Sequence, residues 1–402
     1  MYLTRKLKLG RTDQLDRLAE RAGTLWSAVA KWHWRFVRRQ GHWASKSALQ
    51  RWLCKGYEGL HSQSSQAVAD SFYDALSSWR TKRKASPDAR PPYKQKRFFK
   101  TVWKSSAIRV RNGNLRLSNG RGKADPLMVR WQWPEPKRVE IGWDGEQYEL
   151  RAQFEVEPRE EPKGDRVAGV DLGEVHLATV CVGDETLISN GRELRSLRRK
   201  QNKLKATLDA KIDRKQRGSN RWRGLVRSKK RQLSKVRNQI TDLLHKQSTR
   251  LVDMLHERRV STLVIGDVSG IRKDLDYGAK SNQKLHQWAY AKFKHMLAYK
   301  ARLRGMTVET ENEAYTSQEC PNCQNRYNPS GRKYSCSECS FEGHRDGVGS
   351  YNIRKKYLSN KRTVDGIMAF PSSVRGIKYR PHMACSSHSG SRLEAAKDHT
   401  GP

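Results

Sequence analysis

Residues 166–183 read RVAGVDLGEVHLATVCVG, two apolar runs rich in valine and small residues, broken only at Leu172–Glu174. Runs of this length and composition read as strands, and so short a break reads as a tight turn joining them. ETLISN, at 185–190, supplies a third strand.

Downstream, a long charged region at 193–257 follows a helical period and is interrupted near Arg217-Gly218-Ser219-Asn220. Then come a strand in STLVIGD (261–267), a loop, a helix over about 283–303, a strand in MTVETENE (306–313), a cysteine-rich stretch and a helix from about Arg345. Three antiparallel strands, a helix, a strand, a helix, a strand and a last helix is the element order of an RNase H-like α/β fold. The order predicts a multidomain α/β chain whose nuclease-like domain covers 165–313 and 344–358, with a cysteine module at 314–343 set into it.

Upstream the character differs. Residues 1–9 alternate as a strand, and a helical period runs from Asp13 to Arg39, with two or three further helices to about Lys84. KWHWRFVRR and SFYDALSSWR interleave aromatics with arginines, a composition that stacks on bases or holds phosphates. Beyond SPDARPPYKQKR the runs shorten and alternate around Asn112-Gly113 and Asp144-Gly145, both hairpin signals. The expectation is a small β-barrel from 1–9 and 92–158, a helical module inserted at 10–91, and a linker in EPREEPKGD. The tail at 359–402 has no periodicity and is expected to lack regular structure.

Lys and Arg number 81 against 41 Asp and Glu among 402 residues, a formal net charge of +40. Such an excess repels itself and calls for a polyanionic partner, nucleic acid first. No apolar run approaches the roughly 18 residues of a membrane span, and MYLTRKLKLG has no signal-peptide pattern, so a cytoplasmic protein is expected.

CPNCQNRYNPSGRKYSCSEC sets Cys320 and Cys323, then Cys336 and Cys339, with twelve residues between the pairs. Two such knuckles aim four thiolates at one Zn²⁺, a closed tetrahedral site with a structural role. Cys54, Cys181 and Cys385 stand alone. In a nuclease of the expected fold, carboxylates hold two divalent ions about 4 Å apart. Asp171, at the end of the first strand, and Asp346, at the start of the last helix, are the first candidates. Gly169 and Gly173 flank Asp171 and are expected to let a phosphate approach the backbone.

GVDLG, VIGDVSG, EAYTSQECPNC, CSECSFEGHRDGVGSYNI and NQKLHQWAYAKFKHMLAYKA together resemble the C-terminal half of the TnpB family, insertion-sequence-encoded RNA-guided nucleases related to compact type V CRISPR effectors. The resemblance covers about 165–358; residues 1–160 match only in layout, a wedge barrel with an inserted recognition domain. It implies a RuvC-like site with two Mg²⁺, a structural Zn²⁺, a transposon-derived guide RNA, and double-stranded target DNA carrying a short flanking motif. One departure stands out. The family's middle carboxylate is a glutamate in a motif resembling I-E-D, and this chain has Gly266 there.

Asp267 is one residue further on, so by strand alternation it points away from that place. Glu313 ends the neighbouring strand, and with no side chain at Gly266 it has room to reach across. The expected set is therefore Asp171, Glu313 and Asp346, with Asp267, brought round by strand twist, as the alternative. Glu309 and Glu311 share the face of Glu313 but lie further from the strand end. Two other readings stay open: a nuclease-dead RNA-guided repressor, which Gly266 motivates, and a compact CRISPR effector.

Overall fold

The computed structural model describes residues 1–120, 124–158, 161, 164–268, 278, 282–283, 289–329, 331–361 and 370–377. The chain divides into two units, Met1–Glu157 and Pro158–Pro402.

In the first unit, β1 (Tyr2–Leu9) is followed by helices α1 (Asp13–Gln40), α2 (Lys46–Leu49) and α3 (Ser62–Ala85). Local chemistry fixes the ends of α1. Thr12 caps it by accepting from the Leu15 N–H, Asp13 and Asp16 sit in its first turn, Arg38 and Arg39 in its last, and Gly41 ends it at φ 71°. Strands β2 (Thr101–Lys104), β3 (Ile108–Arg111), β4 (Asn114–Leu117), β5 (Leu127–Arg130), β6 (Arg138–Trp143) and β7 (Tyr148–Glu155) follow. They bond as two sheets, ordered β1-β7-β6-β2 and β3-β4-β5. Leu25, Trp26 and Phe72 of the helices share one buried core with Trp103, Ile108, Leu115 and Leu150 of the sheets. Most of the helical aromatics are thus structural, although Phe36, Trp43 and Trp52 remain exposed.

The second unit carries β8 (Arg166–Asp171), β9 (His176–Val182), β10 (Glu185–Asn190), α4 (Arg192–Asp213), α5 (Asn220–Glu257), β11 (Val260–Asp267), α6 (Tyr290–Leu303), β12 (Thr307–Asn312), the hairpin β13 (Lys333–Ser335) and β14 (Glu342–His344), α7 (Arg345–Asn360) and β15 (Ser373–Ile377). The α4–α5 break falls where the sequence places it, with Gly218 at φ 89° and Ser219 capping α5. Of the helix expected over 283–303, residues 284–288 lie outside the described residues, and α6 begins at Tyr290.

One six-stranded sheet runs β12-β11-β8-β9-β10-β15. β8 and β9 are antiparallel, as are β9 and β10, while β11 and β12 run parallel to β8. The carboxyl ends of β8, β11 and β12 therefore share one edge, where open α/β sheets gather ligands.

The tail departs from expectation in one place. Ser373–Ile377 pairs parallel with β10, from Glu185↔Ser373 to Ser189↔Ile377. An edge strand offers unpaired N–H and C=O groups, and a short extended segment satisfies them without a hydrophobic pattern of its own; only Ile377 of the five is buried. Residues 362–369 and 378–402 of that tail lie outside the described residues.

Candidate active site and cysteine cluster

Asp171 closes β8, opposite Thr179 of β9. The glycines beside it do a different job from the expected one. A Cβ at Gly169 would stand 2.2 Å from the Ser350 carbonyl oxygen, and one at Gly173 2.7 Å from that of His176. Gly169 thus lets α7 lie directly on the sheet, and Gly173 tightens the β8–β9 turn; neither opens the backbone to a phosphate. On the facing helix, a Cβ at Gly349 would come within 2.7 Å of Asp171 Oδ2. The Gly347-Val348-Gly349 run in the first turn of α7, unfavourable by helix propensity, leaves room there for the carboxylate.

Gly266 pairs with Glu311 and Asp267 with Asn312. Glu313 follows directly, on the same face as Glu311 by the two-residue period. Its side chain turns over Gly266: a Cβ there would meet Glu313 Oε2 at 2.8 Å and Glu313 Cβ at 3.3 Å. The Glu313 Oε2 atom is buried with no hydrogen-bond partner among the described residues. Burial first, then Asp267, raises the Glu313 carboxyl to about 7, against a smaller opposing pull from Lys294. Asp171 is raised to about 8 by burial, then by the charges of Asp346 and Glu313. Asp171 thus resists ionisation partly because Asp346 and Glu313 are close.

Asp346 lies in the first turn of α7. His176 Nδ1 stands 2.7 Å from its Oδ2, and Arg332 Nη1 donates to both oxygens, at 2.8 and 2.5 Å. Asp171, Glu313 and Asp346 are thus brought to one edge. Asp267 is 39 % exposed and its Oδ1 lies 3.6 Å from Lys294 Nζ. Glu311, expected to face solvent or to support the site from behind, has a side chain only 15 % exposed, near Lys356 and Asn360 of α7. His176, Arg332 and Gly349 escape a reading by sequence, since a lone histidine or arginine in so basic a chain carries no signal; the paired glycines of α7 were the one available hint.

The four cysteines converge. One sulfur from each of Cys320, Cys323, Cys336 and Cys339 lies within 4.8 Å of the others, with Cys320–Cys339 at 3.7 Å and Cys323–Cys336 at 3.5 Å. Four sulfurs at about 2.3 Å from one tetrahedral ion stand roughly 3.8 Å apart, so the cluster has the dimensions of a metal site. Tyr334 and Val348 are buried against it.

Among the described residues, no helix is long and apolar enough to cross a membrane. Two family models match the chain: one described as "Probable transposase" over residues 150–272, and one as "Cas12f1-like, TNB domain" over 290–353. A TnpB-like protein of Methanocaldococcus jannaschii is 30% identical over 122 residues, 30% of this chain and 44% of its own length. A protein of Streptomyces pristinaespiralis, named as a candidate RNA-guided DNA endonuclease, is 27% identical over 73% of each chain. A shorter M. jannaschii protein, named as a candidate transposase, is 31% identical and matched over 100% of its length, 23% of this chain. Of the first of these relatives the chain thus spans less than half. Among solved structures, the Cas12f1–sgRNA–target DNA complex matches at a TM-score of 0.59 and 12% identity, over 84% of this chain and 81% of that one, a likeness of fold. By the family models, which span the sheet and the cysteine cluster, and by a relative matched over its whole length, this chain belongs to the TnpB family.

Proposed function

We propose that the protein is an RNA-guided DNA endonuclease whose RuvC-like site uses Asp171, Glu313 and Asp346, the middle acid having moved from β11 to the end of β12. The observation that carries this reading is the Glu313 carboxylate lying over the empty Cα of Gly266, its Oε2 buried and without a hydrogen-bond partner among the described residues. An orphaned acid beside a second acid raised to about 8 is unfavourable on its own. A cation-binding role removes that conflict.

The donor set is all oxygen, which suits Mg²⁺. Asp171, Glu313 and Asp346 would hold Mg²⁺, whose chemistry there would be activation of water and neutralisation of charge on the departing oxygen. The protein's part is to hold three carboxylates, drawn from β8, β12 and α7, ionised and aimed at one edge. Gly349 and Gly266 supply the space this needs. Arg332, bonded to both oxygens of Asp346, orients it.

The cysteine cluster reads as a structural Zn²⁺ site, since four thiolates leave no open position. The two sheets of the first unit read as the wedge barrel, and its helices as the recognition module, in a cytoplasmic protein. Exposed Trp43 and Trp52, with Arg35 4.9 Å from the centre of the Trp32 ring and Arg80 5.5 Å from that of Trp43, suit stacking on unpaired bases. Guide pairing would then read the target, and the protein a short flanking motif. With a charge of +40, affinity for RNA and DNA should fall steeply with salt.

The test is cleavage of a plasmid bearing the target and flanking motif, with the cognate RNA and Mg²⁺. Loss of cutting in Glu313→Gln, with RNA binding retained, supports the relocated site; unchanged cutting refutes it. No cutting by the wild-type protein favours the repressor reading.

A further inference from the structure

Beside Asp346 lie two imidazoles. His176 begins β9 and His344 ends β14, immediately before α7. Their rings stand 5.4 Å apart, centre to centre, and one ligand atom from each, together with an Asp346 oxygen, falls within 4.8 Å of the others. Two segments far apart in sequence meet here, His176 on one and His344 with Asp346 on the other, so sequence proximity alone does not account for the grouping. His344 Nδ1 is buried and meets no hydrogen-bond partner among the described residues.

We propose that His176, His344 and Asp346 form a binding site for a transition-series divalent cation, of the Mn²⁺ to Zn²⁺ class, adjoining the magnesium site and sharing Asp346 with it. Mg²⁺ takes oxygen ligands almost exclusively, whereas two imidazoles and one carboxylate suit ions that accept nitrogen. Asp346 can serve both. Its Oδ2, the oxygen beside His176, faces the imidazoles, while Arg332 retains a 2.8 Å bond to Oδ1. Arg332 has a half-exposed side chain, free to shift its second bond towards solvent when a cation arrives.

The proposal shares a residue with the nuclease reading but can fail separately, because its readout is nitrogen at the metal rather than DNA cleavage. The full chain, expressed with zinc so that the cysteine cluster is occupied, would be titrated with Mn²⁺ in excess Mg²⁺ and examined by pulsed electron paramagnetic resonance. The expected result is one Mn²⁺ that Mg²⁺ does not displace, with ¹⁴N modulation from directly bound imidazole. That signal should disappear in His344→Gln, with affinity lower by at least about tenfold, and persist in Glu313→Gln. Bound Mn²⁺ without ¹⁴N modulation in the wild-type protein overturns the proposal, whatever the variants do. So does full displacement by Mg²⁺, or modulation that survives in both His344→Gln and His176→Gln. Normal cleavage by Glu313→Gln would refute the relocated carboxylate site and leave this one standing.

Discussion

His33 in the first unit and Asp171 in the second are both titratable groups set inside protein, and the two interiors treat them differently. His33 is fully buried, ringed by Trp34, Phe72 and Tyr73, with Nδ1 3.3 Å from the Tyr73 hydroxyl. Burial lowers it to about 4, so it stays neutral near pH 7 and the core accepts it. Asp171 is pushed the other way, to about 8, with two further acids contributing. One interior has removed its charge; the other keeps a buried acid beside two more that disfavour its ionisation. Folding alone explains the first arrangement. The second makes physical sense when a cation is part of the finished site.

The comparison can be broken most sharply at Glu313. Changing it to Gln should lower plasmid cutting by about three orders of magnitude, well past the roughly 10–100-fold cost of losing a supporting partner of a metal ligand, while the melting of the first unit stays put. A variant that cuts normally would strip the acidic edge of its functional meaning. In the first unit, Phe72→Ala should cost about 3–5 kcal/mol of that unit's stability by denaturant unfolding, as a fully buried phenylalanine does. A cost below about 1 kcal/mol would mean that the aromatic interior is loosely packed.

Gly266→Ala is a finer probe. The new methyl would meet Glu313 Oε2 at 2.8 Å and Ile353 Cδ1 at 2.9 Å. Both are ends of side chains that can move, so the fold should survive while the carboxylate shifts. Cutting should fall by up to about 100-fold, the scale of an ångström-sized misplacement. Activity equal to wild type would show that Glu313 need not lie over Gly266.

The smallest effect is in pH dependence, where the two interiors should slope in opposite directions. For His33 the folded value, about 4, lies below the ordinary 6.5. Its contribution is therefore complete above about pH 6.5 and lost as pH falls towards 4. Asp171 and Glu313 have folded values near 8 and 7, above the ordinary 3.8 and 4.5. Between those limits the unfolded chain holds fewer protons, so without divalent cations the second unit should weaken as pH rises from about 4 to 8. Mg²⁺ should restore it. Hydrogen exchange followed unit by unit checks both slopes, and a Mg²⁺-independent second unit would count against a cation site.

Much of this was legible in the chain. The strand at 166–171 announces itself by composition, and the cysteine spacing dictates a four-sulfur cluster. The two-residue period of a strand is enough to turn Asp267 aside and nominate Glu313, because Gly266 leaves a gap that only a neighbour can fill. The roles of Gly169 and Gly173 were not legible: a glycine beside an acid looks the same whether a phosphate, a helix or a turn needs the space. Nor could sequence find His176 and Arg332, whose meaning lies in the distance to Asp346 across 170 and 14 residues. The strand at 373–377 was invisible for a related reason, since it borrows its order from β10 rather than from a pattern of its own.

That borrowed strand bears on anyone shortening the protein for study. Cutting just after α7 would strip β10 of its outer neighbour and present the bare rim of the sheet to other molecules, an invitation to stick edge to edge. A safer place to stop, or to attach a fusion partner, lies beyond Ile377.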